Sequence, residues 1–198
     1  MIILGVDPGP KTCGVVLWNV ATSRAARGDQ AYPTADLIRD IRIGGGIAEG
    51  ASRLVIERPV GRNNGPVPKS VIDMSIAVGR MLEAWRRGFA ANPPGSMLFF
   101  SSIAWLIVGT RANWERLTGE KKKGGTPTEA VVWAALLEKF GGHAVAVGDS
   151  KRPGALAVSG HARSAVAAVV AYLIRLELSS DGEENEGEEI GEDTVAGN

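Results

Sequence analysis

The sequence predicts a mixed α/β fold in which helices cover the faces of one β-sheet. Residues 2–7 and 14–19 are apolar and β-branched, and the Gly/Pro turn between them predicts an antiparallel hairpin. Residues 53–57 (RLVIE) predict a central, buried strand that ends in an acid. Strands that alternate with helical segments fold into layers of helix on sheet.

A third strand and two helices are predicted around this central strand. The third strand lies within 24–32, and Thr34 is placed as the N-cap of a helix that the glycines at 44–46 end. The prolines of 66–68 precede a long helix that runs to about Arg87. The apolar stripe of this helix consists of Val71, Met74, Val78, Met81, Leu82 and Trp85.

The second half of the chain contains a predicted strand, 97–101, and a helix with a strong start signal. Residues 102–125 match neither the strand pattern nor the helix pattern. In the segment 126–129 (TPTE), a threonine at the N-cap, a proline at N1 and a glutamate at N3 predict a helix start. The helix runs to about Phe140 and stops at the two glycines that follow.

The folded part of the chain is predicted to end with a short strand and loop within 143–158 and a last helix, 160–177, capped by Ser159. The apolar face of this helix consists of Ala162, Ala165, Val166, Val169, Val170 and Leu173. Residues 179–198 contain eight acids and no Lys or Arg, a composition typical of disorder. We therefore divide the chain into a folded domain, 1–178, and an acidic tail, 179–198.

The formal net charge of zero conceals a segregation of charge. Because eight of the 22 acidic residues lie in the tail, residues 1–178 keep 14 acids against all 22 Lys and Arg, a net charge of +8. A basic body with an acidic tail is expected of a protein that binds a polyanion. The alternative is that the charges serve solubility alone.

The cysteine content and the N-terminus indicate the compartment. Cys13 is the single cysteine and cannot form an intrachain disulfide, which suits a reducing cytoplasm. The N-terminus has neither the basic region nor the cleavage site of a signal peptide. No apolar run reaches the roughly 18–20 residues that a membrane-spanning helix needs. We expect a cytoplasmic protein without a membrane partner, in the host cytoplasm if the gene is viral.

Two carboxylates end two of the predicted strands. Asp7 comes just before a Gly/Pro turn and Glu57 just before Pro59. If the strands are neighbours, both acids project at one end of the sheet and suit Mg²⁺, which prefers carboxylate and water oxygens. His161 adds an imidazole in the first turn of the last helix, with Ser164 one turn on. The alternatives are that the acids are solvated or cap turns, and that the histidine is a surface residue or a cap.

Three segments resemble motifs of the RuvC-type Holliday junction resolvases. ILGVDPGPKTCGVVLWN resembles the first motif, an apolar strand followed by Asp-Pro-Gly, a basic residue, Gly and a second strand. LVIERP resembles the strand that bears the second acid, and GHARSAVAAVVAYL resembles the last helix, which opens with His or Asp. The order and approximate spacing of these three motifs match those of the family over about residues 1–177. The resemblance implies an RNase H-like fold, a mixed central β-sheet flanked by α-helices.

The resemblance also implies a metal-dependent endonuclease that resolves four-way DNA junctions in recombination and repair. It places Asp7, Glu57 and His161 at a catalytic site with two Mg²⁺ ions, for which Mn²⁺ would substitute. Asp7 would bridge the ions, with Glu57 on one and His161 on the other. Two such ions stabilise the attacking and the leaving oxygens of an in-line displacement.

The chain departs from the family pattern at two places. The family has a carboxylate where this chain has Ser164, and a hydroxyl removes one negative charge from the metal shell. Asp149, in a Gly/Pro-rich loop, is the candidate to complete the site instead. The loop 58–68 also lacks the aromatic residue that several members carry shortly after the second acid, where this chain has Val60.

Basic residues on predicted loops near the proposed site are candidates for contacts with DNA phosphates. Such contacts position DNA without reading its sequence. The alternative is that these side chains are simply solvated. The candidates are Lys11, Arg58, Arg62, Lys121, Lys122, Lys123, Lys151 and Arg152.

The predicted helix 127–140 is apolar on two faces. One stripe consists of Ala130, Trp133, Ala134 and Leu137, and the other of Val131, Val132, Ala135 and Leu136. One stripe packs on the sheet, and the other needs a second cover. The resemblance implies a dimer interface on a helix in this position, and a two-fold dimer suits two symmetric cuts. We expect a homodimer; the alternative cover is the segment 102–118 of the same chain.

Other functions are compatible with parts of this pattern. Ser164 favours a junction-binding protein with weak or no nuclease activity, and another RNase H-like nuclease would act on RNA or an RNA–DNA hybrid. Sugar kinases and actin-like ATPases begin with a similar hairpin, but they need two large domains and 198 residues are too few. A cysteine hydrolase using Cys13 with His143 or His161 is the weakest alternative, because no nucleophile signature surrounds Cys13.

Overall fold

The computed structural model describes residues 1–58, 66–90, 105–108, 115, 118 and 129–182. Its strands are β1 (Ile2–Asp7), β2 (Thr12–Asn19), β3 (Arg24–Pro33), β4 (Arg53–Arg58) and β5 (Trp105–Val108). Within the described residues they form one five-stranded sheet in the order β3-β2-β1-β4-β5. The first three strands are antiparallel neighbours, whereas β4 pairs parallel to β1 and β5 pairs parallel to β4.

Helices cover both faces of the sheet. The helices on one face are α1 (Thr34–Ile43) and α2 (Lys69–Ala90). Those on the other face are α3 (Glu129–Lys139), α4 (His143–Ala146) and α5 (Ala162–Gly182). This arrangement confirms the predicted mixed α/β fold, including the first hairpin, the third strand and the buried central strand.

Alternation along the strands divides the apolar core into two clusters. Ile3, Val16 and Val55 face α5, whereas their neighbours along the strands face α1 and α2. Helix α5 is buried on every side over residues 165–172, as expected for a helix enclosed within a fold. The helix is therefore held firmly against the sheet, and its N-terminal end is fixed in position.

Two predicted helix caps are wrong because their hydroxyl groups bond elsewhere. Thr34 is the first residue of α1, and its Oγ1 donates to the carbonyl of Gly9 at 2.9 Å. Helix α5 begins at Ala162, two residues later than predicted. The Ser159 hydroxyl faces Oε1 of Gln30 at 3.4 Å, and only the Ser159 carbonyl serves the helix, by accepting the N–H of Ala162.

The short strand predicted within 143–158 is also wrong. The segment begins with the single turn of α4 and continues as a loop in which Gly148 and Pro153 form an isolated bridge. Gly142, with φ of 89°, redirects the chain after α3 and accepts the N–H of Ala146. The helical turn buries Ala146 in the core, and later in the segment the Ala155 carbonyl accepts the N–H of Ala25 in β3.

Several boundaries differ from those predicted. Strand β5 lies within the stretch 102–125, for which the sequence favoured no element. The strand predicted at 97–101 lies outside the described residues. Helix α5 runs to Gly182, past the predicted start of the tail, and residues 183–198 lie outside the described part. None of the described helices has the length and hydropathy to cross a lipid bilayer.

Candidate active site

Asp7 and Glu57 lie side by side at one end of the sheet. β1 and β4 are parallel, and Val6 pairs with Ile56, so Asp7 and Glu57 are the next residues along the two strands. Because side chains alternate between the faces of a strand, Glu57 falls on the same face as Val55, and Asp7 falls on that face too. Both carboxylates therefore project on the side that α5 covers.

His161 reaches this pair from the turn that begins α5. Its Nδ1 atom lies 3.1 Å from Oδ2 of Asp7, although 154 residues separate the two in the sequence. The His161 side chain is 66% exposed and that of Asp7 19% exposed. In the tautomer that carries its proton on Nδ1, the imidazole donates to the carboxylate and keeps a lone pair on Nε2. The pair thus forms an accessible acid–imidazole unit beside Glu57.

Two strand glycines allow α5 to approach so closely: Gly14, which the sequence shows as part of the first motif, and Gly5, which the sequence analysis did not single out. A Cβ atom on Gly14 would overlap the main-chain carbonyl group of His161. A Cβ atom on Gly5 would lie 2.5 Å from Cγ2 of Val169 and 2.9 Å from the carbonyl oxygen of Ala165. A glycine inside a strand pattern often marks such a close approach, and this was the available signal in the sequence.

A buried cluster supports the turn that follows Asp7. Thr34 Oγ1 bonds to the Gly9 carbonyl and lies 3.3 Å from Sγ of Cys13. Burial raises the pKa of the Cys13 thiol, and the negative charge of Asp7 acts in the same direction. Because a catalytic cysteine needs an accessible thiolate, this environment argues against the cysteine hydrolase. Cys13 instead packs beneath the turn.

Donor types at this end of the sheet suit a divalent cation. Carboxylates fit Mg²⁺ and Mn²⁺, and an imidazole suits Mn²⁺ in particular. Ser164, half-buried one turn after His161, donates its N–H to the His161 carbonyl and adds no charge. Among the described residues, no three His, Cys, Asp or Glu side chains form a group that could hold a metal. A cation at Asp7 would complete its shell with water and phosphate oxygens, as Mg²⁺ commonly does.

Asp149 does not join this site. Arg24 pairs with Asn19 at the far end of the β2–β3 pair, and its guanidinium bonds to the carbonyl of Pro153. The loop that carries Asp149 is thereby fixed near Asn19, which lies five residues, or about 17 Å, from Gly14 along β2. The proposed role of Asp149 in completing the metal shell is therefore wrong.

Basic residues predicted to contact DNA are dispersed over the molecule. Lys151 and Arg152 belong to the loop that carries Asp149, far from the site. Their main-chain N–H groups each donate to Oδ1 of Asp149 at 2.7 Å. Arg58 is exposed, but alternation places it on the opposite face of β4 from Glu57. Lys11 is exposed in the turn after Asp7 and remains beside the site. The candidates outside the described residues are Arg62, Lys121, Lys122 and Lys123.

Comparison with known proteins identifies the fold. No family model matches the chain, and no curated protein matches its sequence. Among solved structures, T. thermophilus RuvC in complex with a Holliday junction substrate is similar, with a TM-score of 0.55 and 12% identity. The similarity covers 91% of this chain and 97% of that one. The chain therefore has a RuvC-like, RNase H-like fold, which confirms the predicted fold class.

Proposed function

We propose that this chain is a divalent-metal-dependent endodeoxyribonuclease that resolves four-way DNA junctions by paired phosphodiester hydrolysis. The observation that carries the proposal is the contact between His161 and Asp7 at 3.1 Å, with Glu57 next to Asp7 on the adjacent strand. The net charge of +8 over residues 1–178 supports a polyanionic substrate. The fold shared with a protein solved in complex with a Holliday junction supports DNA as that polyanion.

Asp7 has the central part in this proposal. It would bind the cation, with Glu57 as the second carboxylate. When bound, divalent ions supply positive charge to the attacking and leaving oxygens of the phosphodiester. The hydrogen bond from Nδ1 to Asp7 orients the His161 ring. Its other nitrogen, Nε2, would then take the proton of the attacking water or bind a second ion.

A homodimer is part of the proposal because two symmetric cuts require two sites. Helix α3 buries Val132 and Leu136 against the core on the α5 face. It leaves Val131 38% exposed on its outer side. This outer side of α3 is the surface that we propose as the interface.

Cleavage of a labelled four-way junction tests the proposed activity. We expect nicking that requires Mg²⁺ or Mn²⁺ and stops on chelation. Asp7→Asn should abolish cleavage and preserve junction binding, because the neutral amide removes the charge that holds the cation. Asp36→Asn is a matched control, since Asp36 pairs with Arg39 on the opposite face of the sheet. Wild-type cleavage by Asp7→Asn would show that the assigned site is wrong.

A second candidate function is a junction-binding protein with weak or no nuclease activity. Two observations favour it: the uncharged Ser164 beside His161, and the lack of a three-ligand metal group among the described residues. Binding and cleavage measured on the same junction separate the two functions. Tight binding without cleavage in Mg²⁺ or Mn²⁺ would establish this candidate. Faster cleavage of RNA or of an RNA–DNA hybrid would instead identify a different substrate class.

A further inference from the structure

Arg163, in the first turn of α5, stacks on the indole ring of Trp133 in α3. The Arg163 Cζ atom lies 4.7 Å from the ring centroid, within the range of a cation–π contact. Trp133 is half-buried and packs against the core cluster on the α5 face, whereas Arg163 is exposed. An anchored ring therefore holds a long, exposed side chain in one orientation.

This pair lies at the same end of the sheet as the candidate active site. Phe140, which follows α3, contacts Trp18 edge-on with ring centroids 5.9 Å apart, and Trp18 pairs with Ala25 at the far end of β2. Trp133 lies about two turns earlier in α3 and meets the first turn of α5. Helices α3 and α5 therefore both direct their N-terminal ends toward Asp7.

Arg163 and His161 point to different sides of the start of α5. Residues two apart on a helix do not share a face. His161 turns toward Asp7, whereas Arg163 turns toward α3. The guanidinium is thus displaced sideways from Asp7, across the N-terminal end of α5.

The hydrogen-bonding edges of Arg163 are not used by an acid in the described part of the chain. Two exposed arginines there do pair with acids, Arg39 with Asp36 and Arg87 with Glu83. No described carboxylate forms an ion pair with Arg163. A cation–π contact does not use up the N–H donors of the guanidinium, whose planar fork suits a phosphate.

We infer that Arg163, held by Trp133, is a phosphate-binding residue for the DNA strand that enters the active site. The inference rests on the proposed function, because it identifies where that substrate strand runs. The strand passes from Asp7 over the N-terminal end of α5 toward Trp133, and the dipole of α5 also favours anions there. Arg163 contacts a backbone phosphate away from the one at Asp7, and Trp133 is its positioning residue.

Junction binding by Arg163→Gln, measured by fluorescence anisotropy without divalent metal over a salt series, tests the inference. We expect roughly tenfold weaker binding at low salt and a salt slope reduced by about one unit, which corresponds to one phosphate contact. Arg86→Gln is the matched control, because Arg86 is exposed on α2 across the sheet, and its affinity should equal that of wild type.

Two Trp133 variants test the positioning role. Trp133→Leu should reproduce most of the loss seen with Arg163→Gln, whereas Trp133→Phe keeps an aromatic face and should restore most of the affinity. Wild-type affinity and salt slope in Arg163→Gln would overturn the inference, whatever the nuclease assay shows. A lower melting temperature with an unchanged salt slope would also overturn it, because the pair would then only fasten α3 to α5. A reduced slope in a protein that cuts no DNA would support the contact while the proposed nuclease activity failed.

Discussion

The backbone of His161 lies directly against Gly14, so that a side chain on Gly14 would overlap the His161 carbonyl group. Gly14 is also the register partner of Asp7 in the β1–β2 pair. The residue opposite Asp7 therefore sets how closely the turn that carries His161 can approach. The distance between the imidazole and the carboxylate depends on a position that has no side chain.

We expect Gly14→Ala to slow junction cleavage by at least about tenfold, because the methyl group displaces the start of α5 and moves His161 from Asp7. Overpacking should also lower the free energy of unfolding by about 1–3 kcal/mol. Cleavage rates and urea denaturation measure the two effects. Gly79→Ala in α2 is the control: its Cβ has no atom within 4 Å, and it should stabilise the helix by about 0.5–1 kcal/mol. A fully active Gly14→Ala would contradict the positioning argument.

Ser164→Asp should lower the metal concentration needed for half-maximal cleavage and raise the rate. An acid there would add a charged oxygen ligand one turn after His161, where the serine hydroxyl is a poor ligand for Mg²⁺. In the wild type we expect Mn²⁺ to support faster cleavage than Mg²⁺, because imidazole suits Mn²⁺ better. Metal titrations of the cleavage rate measure both effects.

Asp149→Asn is the control for that titration and should leave the metal dependence unchanged, because its loop is tied to the other end of the sheet. The view of Ser164 as a vacated ligand position would be wrong if Ser164→Asp had no effect. Loss of activity in Asp149→Asn would mean that this loop reaches the metal during the reaction.

Light scattering at micromolar concentration should give about twice the chain mass of 20.8 kDa. Val131→Glu should shift the protein toward monomer, because it places a charge on the outer side of α3. Ile43→Glu is the control: Ile43 is 68% exposed at the end of α1, on the opposite face of the sheet. A monomeric wild type at all accessible concentrations would contradict the dimer.

Truncation after Gly182 should tighten binding to duplex DNA, because it removes seven acidic residues that compete with phosphates for the basic body. The effect should be larger near 0.01 M salt, where the Debye length is about 30 Å, than near 0.1 M, where it is about 10 Å. Anisotropy at the two salt concentrations measures it. A tail of the same length with its acids changed to amides should behave like the truncation. Unchanged affinity at low salt would mean that the tail only solubilises.

Asp40 should make the stability of the fold depend on pH. Burial raises the pKa of Asp40, but hydrogen bonds from Tyr32 and the Ile47 N–H, with the charge of Arg39, outweigh it and hold the pKa below its ordinary value. The stabilisation is therefore fully present above the unfolded-state pKa, about 4, and is lost as the pH falls through the folded-state pKa.

Asp40→Asn should accordingly lower the melting temperature at neutral pH. It should also flatten the decline in melting temperature below about pH 4, where wild-type Asp40 takes up its proton. Thermal melts from neutral to acidic pH measure both effects. Parallel pH profiles for wild type and variant would show that another carboxylate governs the acid response.

The sequence by itself determined the strands and helices in which buried residues recur at a regular spacing. The alternation in 2–7 and 14–19 predicted the first hairpin, and the apolar spacing after Pro68 predicted α2. The same pattern predicted Asp7 and Glu57 at strand ends; Asp7 is the last residue of β1, and Glu57 is the last but one of β4. These features depend on short-range periodicity, which the order of residues contains directly.

Only the tertiary structure decided which residues meet. Periodicity shows that a side chain is buried or exposed, but it does not show which element lies opposite. The sequence predicted Thr34 and Ser159 as helix caps. Their hydroxyl groups instead bond to Gly9 and Gln30, which are 25 and 129 residues away in the chain. Asp149 was a candidate to complete the metal shell because its loop lies upstream of His161, whereas the bond from Arg24 to Pro153 holds that loop at the far end of the sheet.

The sequence likewise did not predict the contact between Arg163 and Trp133, because this contact requires α3 and α5 to pack side by side with their N-terminal ends together. The close approach of His161 to Asp7 belongs to the same class, since two strand glycines permit it only when α5 crosses them. Contacts of this kind depend on the distances between elements, and those distances are set by the packing of the whole core.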